Sequence, residues 1–165
     1  MLPNFKRIIG FPSANTILII LTMFSFITLS CKNKQDILDE ESMTNVANSF
    51  SEYYFNFRLT EAKRFCTPES AKWLIYMASN ISQEDIEILK NQERGASSET
   101  ISVELQSDTT GTAVCRVENF LKIDTLGRTG VMTDEASYRL NMVKRNGQWL
   151  VRMEGLPQNE KQNRD

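Results

Sequence analysis

The sequence predicts an α+β domain, with helices in its first half and an antiparallel sheet in its second. Between residues 44 and 89, apolar side chains recur every three or four positions, which is the spacing of amphipathic helices. From Glu99 onward they alternate with polar side chains, which is typical of half-buried strands. The pair Asn146-Gly147 predicts a tight hairpin. We therefore expect a long N-terminal helix and two shorter helices packed in a curved four-stranded antiparallel sheet.

The first thirty residues are typical of an exported protein. Lys6 and Arg7 are the only charges before an apolar run from Ile17 to Leu29. Because this run is shorter than the roughly 20 residues that a membrane-spanning helix needs, residues 1–30 are predicted to be a signal peptide. An uncleaved membrane anchor is the alternative that the short run disfavours.

The end of this segment resembles a bacterial lipobox, in which signal peptidase cuts before a cysteine that carries a diacylglyceryl group. Here Thr28, Leu29 and Ser30 precede Cys31. The resemblance implies cleavage before Cys31 and attachment of lipid to it. The alternative is an ordinary signal peptide in which Cys31 is incidental.

A lipid on Cys31 determines where the protein would be found. Two or three acyl chains hold a protein stably on a membrane without a transmembrane helix. We therefore expect a protein of the bacterial cell envelope that is lipid-anchored to a membrane, such as the outer membrane on its periplasmic or surface face. Residues 31–43 are rich in charge and poor in regularly spaced apolar residues, which predicts a flexible tether.

The first helix is predicted to begin with Ser42 or Thr44 as its cap and to run to about Phe65. Its apolar residues cover much of the helix circumference, as expected for a helix cradled by a sheet.

Two shorter helices follow, each with a recognisable start. Thr67 is suited to cap the second helix, and Pro68 occupies the first helical position, where its missing N–H is harmless. Ser82 and Asp85 have the spacing of a capping box that opens a third helix through Leu89.

The first hairpin is predicted from the faces of two strands. An odd-length loop from Asp108 to Gly111, with a bulged turn at Gly111, would put the apolar sets of both strands on one face. The expected pairs are Leu105 with Ala113, Val103 with Cys115, and Ile101 with Val117.

The second hairpin is predicted from its turn. A two-residue type I′ turn at Asn146-Gly147 sets apolar residues opposite each other on one face and opposite charges on the other. The expected pairs are Met142 with Val151, Leu140 with Met153, Arg139 with Glu154, and Asn141 with Arg152. Residues 44–157 would form the folded domain, and residues 158–165 a disordered tail.

Composition excludes several kinds of chemistry. The chain has no histidine, so it can form neither a Ser-His or Cys-His nucleophile pair nor a histidine-containing zinc site. We expect no metal, no cofactor and no catalytic residue. With 19 basic residues scattered among 21 acidic ones, binding to nucleic acid is not expected. Cys66 and Cys115 either form a disulfide in the oxidising envelope or are small buried hydrophobes.

The order of the predicted helices and strands is similar to that of a known superfamily. Helices followed by four antiparallel strands, the last containing Gly147-Gln148-Trp149, resemble the nuclear transport factor 2-like (cystatin-like) superfamily. The segment 60–70 is similar to the one that joins the first two helices in small bacterial lipoproteins of unknown function. The resemblance implies a cone, formed by a curved sheet around a long helix, often with an apolar cavity at its open end and often dimeric through the sheet.

The resemblance leaves three kinds of function open. The cavity or sheet could bind an apolar small molecule or another envelope protein, although aromatic side chains also serve simply to fill small cores. Superfamily enzymes use an acid in the cavity, which here would be Asp134 or Glu118 with Tyr54 or Tyr138. The exposed sheet face could instead form a homodimer. The aromatic residues that would line a cavity are Tyr53, Tyr54, Phe57, Trp73, Tyr76 and Tyr138.

Overall fold

The computed structural model describes residues 33–123 and 128–160. Residues 1–32, which contain the predicted signal peptide and Cys31, and residues 161–165 of the predicted tail lie outside the described residues. No helix in the described ranges is both long enough and apolar enough to cross a membrane. The helices are α1 (Lys34–Phe55), α2 (Leu59–Ala62), α3 (Ala71–Ser79) and α4 (Gln83–Lys90), with 3₁₀ turns at Lys63–Phe65 and Pro68–Ser70.

The strands form one antiparallel sheet in the order β1-β2-β3-β4. A short fifth strand, β5, pairs with β3 beyond the end of β4. The sheet curves around α1, which packs against β1, β2 and β4. This arrangement confirms the predicted α+β class, with a long first helix held in an antiparallel sheet. The strands are β1 (Ser97–Ser107), β2 (Thr110–Lys122), β3 (Val131–Arg145), β4 (Gln148–Arg152) and β5 (Gln158–Asn159).

The long helix begins about ten residues earlier than the sequence predicts. Asn33 and Asp36 form a capping box at its start, and the buried face already includes Asp39 and Met43. Residues 34–43 are therefore helix and not the flexible tether that we expected. The sequence did not reveal this first part of the helix because the first residue on its buried face, Asp39, is charged and not apolar.

The same helix ends at Phe55 and does not continue to Phe65. Phe57 has a φ of 57°, a left-handed conformation that stops a helix. The amide of Asn56 bonds to both main-chain groups of Ala96, with its Oδ1 accepting from the Ala96 N–H at 2.9 Å. This contact ties the end of α1 to the entrance of β1.

The starts of the next helices agree with the sequence. Pro68 lies in the first turn after Thr67, and that turn leads into α3. Ser82 and Asp85 form the predicted capping box of α4, with the Asp85 N–H donating to Ser82 Oγ at 3.1 Å.

The predicted register of the first hairpin is wrong. The turn has two residues, Asp108 and Thr109, and bulges interrupt β1 after Thr100 and after Leu105. Because each bulge adds a residue to β1 alone, Ile101 leaves the inner face and is 50 % exposed. The observed pairs are Leu105 with Gly111, Val103 with Ala113, Thr100 with Cys115, and Ser98 with Val117.

The predicted turn of the second hairpin agrees with the structure. Asn146 and Gly147 both have positive φ, at 51° and 80°, and the pairs Met142 with Val151 and Asn141 with Arg152 form as expected. The expected pairs Leu140 with Met153 and Arg139 with Glu154 do not form, because β4 ends at Arg152.

Beyond β4 the chain returns to β3. Gln158 pairs with Arg139, and Glu160 accepts a hydrogen bond from the Arg139 guanidinium at 2.7 Å, while Glu154 pairs with Arg152. Residues 158–160 are therefore part of the fold and not of a disordered tail.

Candidate functional site

The predicted aromatic set does not form one pocket. Tyr54, Phe57 and Tyr138 border a cavity of about 50 Å³ inside the domain. Tyr53 instead stacks on Phe65 with 5.8 Å between ring centroids, and Trp73 packs edge-on against Tyr76 at 6.1 Å. Half of the set therefore lies elsewhere in the structure.

The inner cavity is small because aromatic rings fill it. Phe55 lies at the centre, with its ring centroid 5.1 Å from that of Tyr54 and 4.6 Å from that of Tyr138. Phe120 packs on the same ring at 5.3 Å. Burial, with Tyr138 nearby, raises the pKa of Tyr54 above its ordinary value, so its hydroxyl stays neutral. About 50 Å³ is room for a water molecule or two and not for an organic ligand.

The acid and tyrosine pairs considered for catalysis are not assembled. Glu118 and Asp134 are exposed, whereas Tyr54 and Tyr138 are buried in the core. Neither carboxylate borders the inner cavity. The structure therefore provides no acid beside either tyrosine hydroxyl in that cavity.

Two buried carboxylates that the sequence did not single out have structural partners. Asp39 Oδ1 accepts hydrogen bonds from Lys144 Nζ at 2.6 Å and from Trp149 Nε1 at 2.9 Å. The Lys144 ammonium, together with the Trp149 indole, holds the pKa of Asp39 below its ordinary value. The contact fastens the start of α1 to the β3–β4 hairpin. The spacing of three or four residues between positions 39, 43, 47 and 50 was the sequence signal that could have placed Asp39 on the buried face of the helix.

Asp85 is the second buried carboxylate. It accepts hydrogen bonds from the N–H of Ser82 at 2.7 Å, from Ser82 Oγ at 2.8 Å and from the N–H of Gly130 at 2.7 Å. Burial alone would raise the pKa of Asp85, but these hydrogen bonds outweigh it and the pKa is lowered. Asp85 therefore holds the start of β3 against α4.

A groove of about 780 Å³ lies between α4 and the adjoining ends of β2 and β3. Asn119 shapes its floor with a φ of 53°, and its side-chain amide donates to the carbonyl of Arg94 at 2.7 Å. Gln92 Nε2 returns a hydrogen bond to the Asn119 carbonyl at 2.6 Å. The residues that line the groove are Glu84, Glu87, Ile88, Asn91, Gln92, Glu93, Arg94, Asn119 and Met132.

The chemistry of this groove is acidic and partly apolar. The charged residues that line it are three glutamates, Glu84, Glu87 and Glu93, and one cation, Arg94. Met132 adds apolar surface, with 39 % of its area exposed. Such a surface is complementary to a basic segment with some apolar side chains. No pattern in the sequence predicted the groove, because the groove depends on the positive φ of Asn119.

A second concavity of about 380 Å³ lies beside Trp73 and has charges that are already paired. Glu69 accepts from Arg145 at 2.9 Å, and this contact lowers the pKa of Glu69 to about 2. Lys72 lies 5.3 Å from the centre of the Trp73 ring. These contacts leave fewer charged groups available to a ligand than the acidic groove does.

Cys66 and Cys115 do not form the disulfide that was one of the two predicted states. Both are free, and both are buried. Cys66 Sγ donates to the carbonyl of Lys63 at 3.5 Å, and Cys115 Sγ lies 3.4 Å from Thr100 Oγ1. Burial raises the pKa of both thiols, so they are in the neutral form that packs well in a core.

Comparisons with known proteins give likenesses to solved structures only. No family model matches the chain. No curated protein matches it either. Among solved structures, it is similar to an NTF-2-like protein of unknown function from Shewanella oneidensis MR-1, with 12% sequence identity over 67% of this chain and 92% of that chain and a TM-score of 0.45. The fold described above therefore rests on the helices, strands and register of this chain itself.

Proposed function

We propose that this protein is a non-catalytic binding domain of the nuclear transport factor 2-like type, held at a bacterial membrane by lipid on Cys31. We further propose that its ligand is a segment of another envelope protein. The inner cavity that this fold class often uses is filled by aromatic packing, whereas the acidic groove is open and has room for a ligand.

The contrast in size between the two concave surfaces carries the proposal. Sites for small molecules commonly have volumes of about 300 to 1,000 Å³ and enclose most of the ligand. The inner cavity, at about 50 Å³, is far below that range. The groove, at about 780 Å³, is within it but is open and rimmed by glutamates, which suits a segment of polypeptide better than an apolar molecule.

Attachment to the membrane is supported by the lipobox-like residues before Cys31. If lipid is attached there, two residues separate it from the start of α1 at Lys34. Because an extended residue spans at most about 3.6 Å, the domain would lie within roughly 10 Å of the lipid. A bound partner would therefore be held close to the membrane surface.

Photo-crosslinking in cells tests the proposal. A photoreactive amino acid at Met132 probes the groove, and one at Ile75, which is 68 % exposed on α3, is the matched control. We expect a discrete protein adduct in the membrane fraction from position 132 and none from position 75. Equal labelling from both positions, or a small molecule retained by the purified protein in native mass spectrometry, would contradict the proposal.

The membrane part of the proposal is tested separately in the same cells. We expect Cys31→Ser to move the protein out of the membrane fraction or to leave it as an unprocessed precursor, whereas Cys66→Ser keeps it anchored. Acylation of the Cys31→Ser protein would refute the assignment of Cys31.

A further inference from the structure

The edge of β3 is open over the half of the strand that borders the groove. β4 pairs with residues Asn141 to Arg145, and β5 pairs with Tyr138 and Arg139. Between residues 131 and 137, no strand of the described ranges pairs with β3 on that side. Seven residues of strand edge thus have no strand partner among the described residues.

The register shows which main-chain groups face this edge. Arg145 and Gln148 flank a two-residue turn and form a hydrogen-bonded pair, so the odd-numbered residues of β3 direct their N–H and C=O groups towards β4 and β5. Lys144, an even-numbered residue, donates its N–H at 2.8 Å to Thr109, on the β2 side. The N–H and C=O groups of Thr133, Glu135 and Ser137 therefore point out of the open edge.

The opposite edge of the sheet is protected in ways that this one is not. Two bulges interrupt β1, and Asn48 Oδ1 accepts a hydrogen bond from the N–H of Thr100 at 2.7 Å. Bulges and side-chain caps are common devices against pairing with another chain. The register of β3 against β2 is continuous from Lys122↔Val131 through Thr110↔Val143, apart from the unpaired Asn119 position.

The charged side chains along this edge are all acidic. Asp134 and Glu135 are exposed, and Glu118 lies directly opposite Glu135 on β2. The neighbouring cation, Arg116, is bonded to Glu99 at 2.7 Å and also pairs with Glu118 at 3.7 Å, so Asp134 and Glu135 are the acids left to a basic partner. Val131 is 68 % exposed. A strand with alternating basic and apolar side chains complements this edge in both charge and hydrophobicity.

We propose that an extended, basic segment of a partner protein adds to the sheet along residues 131–137 of β3. Main-chain hydrogen bonds to Thr133, Glu135 and Ser137 would supply binding, and side chains entering the acidic groove at Met132 would supply selectivity. This inference rests on the proposed function, because it names the partner and the site for the same groove.

A synthetic peptide tests the inference on the full chain purified in detergent. The probe is a fluorescent nine-residue peptide of alternating lysine and valine, and its counterpart has glutamate in place of lysine. We expect binding of the basic peptide to slow hydrogen exchange at the N–H of Thr133, Glu135 and Ser137 by about tenfold or more. Asp134 and Ala136 face β2 and should change little.

Two variants separate strand addition from adsorption by charge. Ser137→Pro removes an N–H that faces the open edge, a position where strands tolerate proline, and should weaken binding about tenfold or more. Ser137→Ala keeps that N–H and should bind as the unaltered chain does. If Ser137→Pro does not fold, Thr133→Pro provides the test, because it removes another N–H that faces the open edge without changing charge, with Thr133→Ala as its control.

Several outcomes would overturn the inference. One is that the basic peptide does not bind, or that it binds the Ser137→Pro and Ser137→Ala variants equally well. Another is that the glutamate peptide binds as tightly as the basic one, or that the basic peptide slows hydrogen exchange in β1 and not in β3. Protection that grows with protein concentration before peptide is added would assign the edge to a second copy. If position 132 gives a crosslink in cells but the peptide slows hydrogen exchange at none of the three edge N–H groups, addition of a strand to β3 is rejected. The proposed function is then still supported by the crosslink.

Discussion

Asp39 lies at the start of α1, where Lys144 and Trp149 donate to the same carboxylate oxygen. A buried carboxylate is favourable only when its charge is compensated, and here the two donors come from the far end of the chain. Asp85 similarly joins α4 to the start of β3 by accepting a hydrogen bond from the N–H of Gly130. Both residues stabilise the packing of helices on the sheet, which makes them sensitive to pH and substitution.

Substitution of Asp39 should change how stability depends on pH. Since its pKa is lowered in the folded protein, its charged form stabilises the fold above about pH 4 and loses that effect as pH falls through the folded pKa. We expect Asp39→Asn to lower the melting temperature at pH 7 and to differ less from the unaltered protein below pH 4. Glu41→Gln, an exposed change on the same helix, should have little effect at either pH. An identical loss at both pH values would contradict this role.

The side chain of Asp85 should contribute more to the free energy of unfolding than an ordinary helix cap does. Asp85→Ala removes the acceptor of the Gly130 N–H as well as one half of the capping box. We expect it to lower the free energy of unfolding by about 2 to 4 kcal/mol in urea titrations, against about 1 kcal/mol for Ser82→Ala. Equal losses in the two variants would show that the contact to Gly130 contributes nothing.

At the scale of elements, two local signals in the sequence correctly predicted a helix start and a turn. The capping box at Ser82 and the Asn146-Gly147 turn depend on neighbouring residues alone, and both form as expected. The start of α1 was missed because Asp39 is satisfied by Lys144, a partner far away in sequence. The register of β1 was missed because bulges have no clear sequence signature, and the groove was missed because Asn119 adopts a positive φ.

The hairpin turn between β3 and β4 provides a test at this scale. Gly147 has a φ of 80°, and a Cβ added there would meet no atom within 4 Å, so only backbone conformation opposes a side chain. We expect Gly147→Ala to lower the free energy of unfolding by about 1 to 2 kcal/mol. Gly155→Ala, also in open space but without a positive φ, should be close to neutral. Similar losses for both variants would argue against a conformational origin.

At the scale of the whole molecule, the structure combines a filled interior with an acidic groove and an open strand edge. The long helix begins three residues after Cys31 in the sequence. The sequence predicted the fold class and the candidate site of lipid attachment. It did not predict the groove, which three separate elements build together.

The number of reactive thiols shows whether Cys31 is modified and whether Cys66 and Cys115 are free. Cys66 and Cys115 are buried and free, so both should resist a thiol reagent in the native protein and react after denaturation. With lipid joined to the sulfur of Cys31, the denatured protein should show two reactive thiols. Three would indicate an unmodified precursor, and fewer than two would contradict the free thiols seen in the structure.

The central claim is that a lipid on Cys31 holds this binding domain at the membrane, and the intact mass of the protein extracted from membranes tests it most directly. We predict a mature chain that begins at Cys31 and is heavier than the polypeptide of residues 31–165 by a diacylglyceryl group, with or without an additional acyl chain. A mass equal to that of the unmodified chain of 165 residues, or a chain cleaved elsewhere with Cys31 unmodified, would contradict the claim.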